Sequence, residues 1–182
     1  MSSYQPKLTT SRPELLVKGS DEQFRRMLYM LVQSVSRLLA FRDAFGRQLD
    51  ITPGQFAVLM SVAHLQGAHG VSIRDIADHV AMAAPHVTTE VGKLEKAGFV
   101  HKKPSPFDGR SVLVSLSRNG RNAVETIMPL VCEVNDTLFA ELDAKTMAKV
   151  HDFASHVVAN ADVAMAQLRR RYPARKSSSK GL

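Results

Sequence analysis

The sequence predicts a mainly α-helical fold with one small β-hairpin, an α+β arrangement, and three observations carry that prediction. Apolar residues recur at helical spacing over most of the stretch from Ser20 to Leu168. Helix-start chemistry stands ahead of five of these stripes, at Ser20, Thr52, Ser72, Ser117 and Asp143. Between the fourth and fifth stripes lie two short strand-like runs, 99–103 and 112–116. They flank the turn-forming stretch Pro104-Ser105-Pro106-Phe107-Asp108-Gly109-Arg110.

Each element has its own signature. Ser20 and Gln23 are placed for a capping box, followed by Phe24, Met27, Leu28, Leu31, Val35, Leu38 and Phe45 on one stripe to about Arg47. Thr52-Pro53-Gly54-Gln55 is a second box, with proline where its missing N–H is harmless. Phe56, Leu59, Met60 and Ala63 form the expected buried face, closed by Gly67 or Gly70. Ser72 caps a short third helix with Ile73, Ile76, Ala77 and Val80 inward. A fourth helix starts near Pro85, turns Val87, Val91 and Leu94 inward and stops at Gly98. Ser117 opens a fifth helix, which Pro129 should bend, and Asp143 a sixth running through Val150, Phe153, Val157 and Leu168.

The 182 residues are 45% hydrophobic and 23% charged, an ordinary globular composition. No apolar run is long enough to span a bilayer, and residues 1–18 lack the basic head and apolar core of a secretion signal, so a cytoplasmic location is expected. The single cysteine, Cys132, excludes an intramolecular disulfide and a cysteine zinc site; among Leu130, Val131 and Val134 it reads as a core thiol rather than a redox sensor. The histidines show no metal-ligand spacing, and no Gly-rich phosphate loop or framed nucleophile points to an enzyme, so no metal, cofactor or catalytic residue is expected.

The formal charge of +7 is unevenly spread. Arg169, Arg170, Arg171, Arg175, Lys176 and Lys180 crowd the end without an acid, where a disordered tail is expected. From Ser72 to Arg121 bases outnumber acids, and from Asn122 to Leu168 acids dominate. One segment is suited to meet a polyanion, and it coincides with the third and fourth helices and the hairpin. A helix fits the DNA major groove when one side is anchored in a core and the other is polar and not strongly acidic. Val87, Val91 and Leu94 supply the anchors, and His86, Thr88, Thr89, Glu90 and Lys93 the opposite side. Pro85 and the helix start would aim backbone N–H groups at a phosphate. The hairpin would carry Lys102, Lys103 and Arg110 to the flanking backbone or minor groove, and Arg74 would touch phosphate. Asp108 reads equally as a turn residue or as a carboxylate orienting Arg74 or Arg110.

Ser72-Ile73-Arg74-Asp75-Ile76-Ala77, then Lys93-Leu94-Glu95-Lys96-Ala97-Gly98-Phe99-Val100 and Asp108-Gly109-Arg110, resemble the MarR family of winged helix-turn-helix regulators. The resemblance implies a transcriptional regulator. It implies a homodimer on a pseudo-palindromic double-stranded operator, joined through the first, fifth and sixth helices, with the fourth helix in the major groove and Arg110 in the minor groove. It also suggests release by a small anionic effector, an aromatic acid or its coenzyme A thioester. Met27, Met30, Arg42, Met60 and His64 are the candidates to hold it, as soft apolar walls with cationic or polar tips. The expected organisation is an arm at 1–19, a first dimerisation helix at 20–50, a winged helix-turn-helix at 51–117, dimerisation helices at 118–170 and a basic tail at 171–182. Two rivals stay open: a non-specific architectural DNA binder, and a small-molecule-binding module without DNA binding. The fourth helix contains no arginine, so bidentate guanine readout is not expected from it, and selectivity would lean on His86, Thr88, Thr89 and DNA shape.

Overall fold

The structure, a computed structural model, describes residues 6–106 and 111–172. After a 3-10 turn at Pro13–Leu15, the order is α1 (Glu22–Gln48), α2 (Pro53–Leu65), β1 (Val71–Ser72), α3 (Ile73–Val80), α4 (Ala84–Lys96), β2 (Val100–Pro104), β3 (Val112–Leu116), α5 (Arg118–Leu138) and α6 (Ala144–Arg171). The expected class holds: mainly helical, with a small antiparallel wing. The wing has one strand more than expected. Its order is β1-β3-β2, with Val71 opposite Val114 and Lys102 also opposite Val114 on the other side. The chain divides into two compact units, Met1–Cys132 and Glu133–Leu182.

Local chemistry sets the helix starts. Thr52 Oγ1 accepts from the Gln55 N–H at 3.2 Å while Gln55 Oε1 accepts from the Thr52 N–H at 2.8 Å, a complete capping box. Ser72 Oγ accepts from the Asp75 N–H at 3.1 Å, and Asp143 Oδ1 from the Thr146 N–H at 2.7 Å. The box expected at Ser20 does not form. The helix starts one residue later, with Asp21 at the N-cap, and Ser20 Oγ accepts from the Glu22 N–H at 3.2 Å. Asp21 is buried and already engaged: its Oδ2 accepts from the Thr9 N–H (2.6 Å) and hydroxyl (2.7 Å), and its Oδ1 pairs with Arg25 (3.2 Å). The Thr9 N–H above all, then its hydroxyl, hold the Asp21 carboxyl below the ordinary aspartate range.

The first unit is organised around α2. Val58, Leu59 and Val62 have no exposed surface, and Ile76 and Ala77 of α3, Val87, Val91 and Leu94 of α4 and Val71, Val100, Val114 and Leu116 of the sheet close over them. Met60 and Ala63, expected in the core, are only half-buried. α2 is apolar nearly all round, so periodicity could not choose its inner face. α1 lies against α2, with the rings of Phe45 and Phe56 centred 5.8 Å apart. Each fully buried Val or Leu contributes about 1.5–3 kcal/mol relative to exposure, which makes this cluster the anchor of everything mounted on it.

Two backbone features place the elements that follow. Ala81 takes a left-handed φ of +52°, which turns the chain sharply between α3 and α4. Gly98 takes φ +79° after α4, and Ser117 Oγ donates to its carbonyl at 2.6 Å while accepting from the Gly120 N–H at 2.9 Å. The end of α4 is thereby tied to the start of α5. α6, in the second unit, has no buried residue and carries exposed Val150, Phe153, Val157, Val158 and Leu168.

Candidate nucleic-acid interface

α4 is held rigidly from one side. Val87, Val91 and Leu94 are fully buried, and His86, Thr88, Thr89 and Lys93 are exposed. Spacing alone foresaw these positions. Three details differ from expectation. The first is Glu90, expected on the polar side. It is buried at 5% exposure. Its place in the series Val87, Glu90, Val91, Leu94 is an i, i+3, i+4, i+7 position, so the spacing carried the signal that its charged side chain obscured. Its Oε1 lies 2.9 Å from Lys93 Nζ and 3.4 Å from His86 Nε2.

The second concerns the helix start. The His86 and Val87 N–H groups both donate to the Ala83 carbonyl, at 2.9 and 3.1 Å, and Pro85 has no N–H. The expected outward set of free N–H donors is therefore mostly consumed, and a phosphate there would rely on side chains. The third concerns the threonines. Thr88 donates its hydroxyl to the Ala84 carbonyl at 2.9 Å and Thr89 to that of Pro85 at 3.1 Å. Their protons are committed to the helix, so a lone pair and a methyl group remain for a base edge.

On the wing, successive strand residues point to opposite faces. Lys102 turns toward α4, where its ammonium reaches Glu95 Oε2 at 2.7 Å, and Lys103 is exposed. The hydrogen bond from Lys102, reinforced by its charge, holds the Glu95 carboxyl below the ordinary glutamate range. An open cleft of about 500 Å³ brings together Arg74 of α3, Thr88 of α4 and Lys102 of β2, floored by Ile73 and Val112. Three of the expected contact residues thus share one concavity. His86 and Lys93 are gathered separately on Glu90. Asp108 and Arg110 lie outside the described residues.

The expected effector residues are scattered in exposure. Met27 and Met30 are exposed on α1, Arg42 and Met60 are half-buried, and His64 is exposed. Arg42 Nε is buried without a hydrogen-bond partner among the described residues. The cleft beside α4 is lined by none of the five. Cys132, expected in the core, is exposed: its neighbours Val131 and Val134 turn inward by half, and one helical step of about 100° takes the thiol off that face. Among the described residues no cluster of His, Cys, Asp and Glu could hold a metal, and no helix is long and apolar enough to cross a membrane.

Comparison with known proteins adds to this geometry. The family model described as MarR family matches residues 51–112. The transcriptional activatory protein BadR of Rhodopseudomonas palustris is 27% identical over 106 residues, 58% of this chain and 61% of BadR, so the match covers less than two thirds of that relative. An HTH-type transcriptional regulator of Mycobacterium leprae is 32% identical over 106 residues, 58% of this chain and 70% of its own length. The multiple antibiotic resistance protein MarR of Escherichia coli is 30% identical over the same share of this chain and 69% of its own. The structure of a cysteine-to-serine mutant of E. coli MarR complexed with operator DNA is similar over 75% of this chain and 94% of that one, at 26% identity and a TM-score of 0.57.

Proposed function

Since the chain belongs to the MarR family of winged helix-turn-helix transcriptional regulators, a family of regulators and not of enzymes, we propose that it binds a pseudo-palindromic operator as a homodimer and is released from it by a small anionic effector. The observation that carries the DNA reading is the two-sidedness of α4. Val87, Val91 and Leu94 fix it to the core while His86, Thr88, Thr89 and Lys93 stand exposed, with Thr88 in the cleft that also holds Arg74 and Lys102. A helix so mounted can enter a major groove without rearrangement. Lys103 and Arg110 would meet the flanking backbone, with Arg110 reaching the minor groove and Asp108 orienting it or closing its turn.

The homodimer is supported by the apolar side chains that the single chain leaves exposed, Met30, Val32, Val35 and Leu39 on α1 and the series on α6. Patches of this kind are covered in most soluble proteins. For the effector, an aromatic acid or its coenzyme A thioester, the supporting feature is the buried Arg42 Nε, without a hydrogen-bond partner among the described residues, on the same helix as Met27 and Met30 and against the helix of Met60 and His64. A ligand there would bias the population of dimers whose two α4 helices match successive grooves.

The test is selection of bound fragments from genomic DNA, followed by footprinting with and without benzoate-type acids, their coenzyme A thioesters and neutral analogues. Discrete footprints that the acids or thioesters remove support the proposal. Release by neutral analogues as readily as by acids excludes the arginine. Uniform coverage that fades evenly with salt identifies the architectural rival instead.

A further inference from the structure

Glu90 has no role in the contacts proposed so far, and its placement is expensive. A carboxylate taken out of water is unfavourable unless it is paired and hydrogen-bonded. At this position, among Val87, Val91 and Leu94, an apolar side chain would pack without that penalty. The Glu90 stem faces the first turn of α2, where a Cβ on Gly54 would stand 3.9 Å from its Cγ. Its two oxygens are treated unequally. Oε1 takes both Lys93 Nζ at 2.9 Å and His86 Nε2 at 3.4 Å, and Oε2 is buried with no hydrogen-bond partner among the described residues. A carboxylate kept only to hold the fold would be expected to satisfy both oxygens. This one satisfies the oxygen that touches two outward-facing groups, each with more than half of its side chain exposed.

We propose that Glu90 is a specificity-determining positioning residue: a buried counter-charge that orients Lys93 and His86 on the DNA-reading face and holds down binding to DNA of any sequence. The inference rests on α4 being the reading helix. Lys93 at i+3 and His86 at i−4 lie on opposite sides of Glu90 along the helix, so one fixed oxygen sets the direction of both. A long lysine that is free to swing can reach many phosphates, whereas one held at its ammonium meets only those that the docked register presents. The carboxylate also offsets the charge of the Lys93 ammonium it pairs with, on the surface that faces a polyanion. That weakens the sequence-independent contribution more than the oriented one. Glu90 therefore widens the gap between operator and random DNA through its effect on two other residues.

The experiment compares the full chain with Glu90→Gln, each alone and in a His86→Ala/Lys93→Ala background. Each protein is titrated with a duplex recovered by genomic selection and with a random-sequence duplex of equal length. The expected result is that Glu90→Gln binds the random duplex roughly tenfold tighter and the selected duplex with unchanged affinity, so the ratio falls roughly tenfold, the size of one lost base contact. In the His86→Ala/Lys93→Ala background the same change should leave the ratio where it is. Glu90→Met, which fills the site with apolar atoms, should behave like Glu90→Gln and keeps the test open if the amide fails to fold. In the DNA-free protein, imidazole nitrogen signals of His86 should move in both variants. Equal loss of affinity for both duplexes, a change in ratio that persists without His86 and Lys93, or unmoved His86 signals would overturn the inference. If the wild-type chain itself does not prefer the selected duplex, the DNA-reading proposal falls and takes this one with it. If it does and Glu90→Gln leaves the ratio unchanged, this inference alone falls.

Discussion

Glu95, in the last turn of α4, accepts a hydrogen bond of 2.7 Å from the ammonium of Lys102 on β2 and so ties the reading helix to the wing. The pair is partly exposed, so its contribution is that of a screened surface bridge, about 0.2–1 kcal/mol. The Glu95 carboxyl is held below its unfolded range by this bond. Stabilisation of that sign is complete above the unfolded value and disappears as pH falls through the folded one. Lys102→Met should therefore unfold at a lower temperature than wild type at pH 7, and the difference should close as pH falls through the lowered Glu95 value, below the ordinary glutamate range. Thermal unfolding of both proteins across that range checks it. A gap that persists in acid would mean that Lys102 acts by packing.

Two glycines should respond oppositely to alanine. A Cβ on Gly120 would stand 1.9 Å from the Phe99 carbonyl oxygen, backbone against backbone. The start of α5 or of β2 must then move. A loss at or beyond the upper end of about 1–3 kcal/mol is expected. Gly92, inside α4, has nothing among the described residues within 4 Å of such an atom, so Gly92→Ala should gain about 0.5–1 kcal/mol from helix preference alone. Denaturant unfolding of the two variants without DNA measures both.

Thr88→Ala and Thr89→Ala should change which operators are preferred rather than weaken all of them. With both hydroxyl protons given to helix carbonyls, the methyl group and a lone pair remain to distinguish bases. Loss of such a contact costs about 1–3 kcal/mol at one base pair. Binding to a panel of single-substitution duplexes reads this out, and equal weakening on every duplex would assign these residues to phosphate.

Val157→Asp on α6 should shift the protein toward monomer at micromolar concentration while leaving the unfolding of the first unit unchanged. Val157 is 52% exposed in the single chain, so the charge meets water there and is buried only against a partner. Sedimentation as a function of concentration measures the shift. A variant as dimeric as wild type would take α6 out of the interface.

The parts of this molecule that local chemistry decides were legible in its sequence. The Thr52–Gln55 box, the caps at Ser72 and Asp143, and the buried face Val87, Val91 and Leu94 follow from spacing and side-chain oxygens within four residues. The parts decided by distant residues were not. Ser20 is paired with Val17 in an antiparallel bridge, and Asp21, which takes the N-cap position in its place, is claimed by Thr9, twelve residues away. β1 is two residues long, too short for alternation, and exists because β3 offers an edge. Glu90 stood at a core position, but its charge argued for the surface, and only the packing of α4 on α2 shows where it goes. Lys102 was visible as a cation, but its commitment to Glu95 depends on which face of β2 meets α4.

The central claim, that α4 and the wing read DNA sequence, is tested most directly by the ratio of affinities for a selected and a random duplex, followed as salt is raised. The account predicts a ratio of about a thousandfold or more, with both affinities falling as phosphate contacts are screened and a discrete footprint spanning two half-sites about one helical turn apart. A ratio near one at every salt concentration, with no bounded footprint, would contradict it.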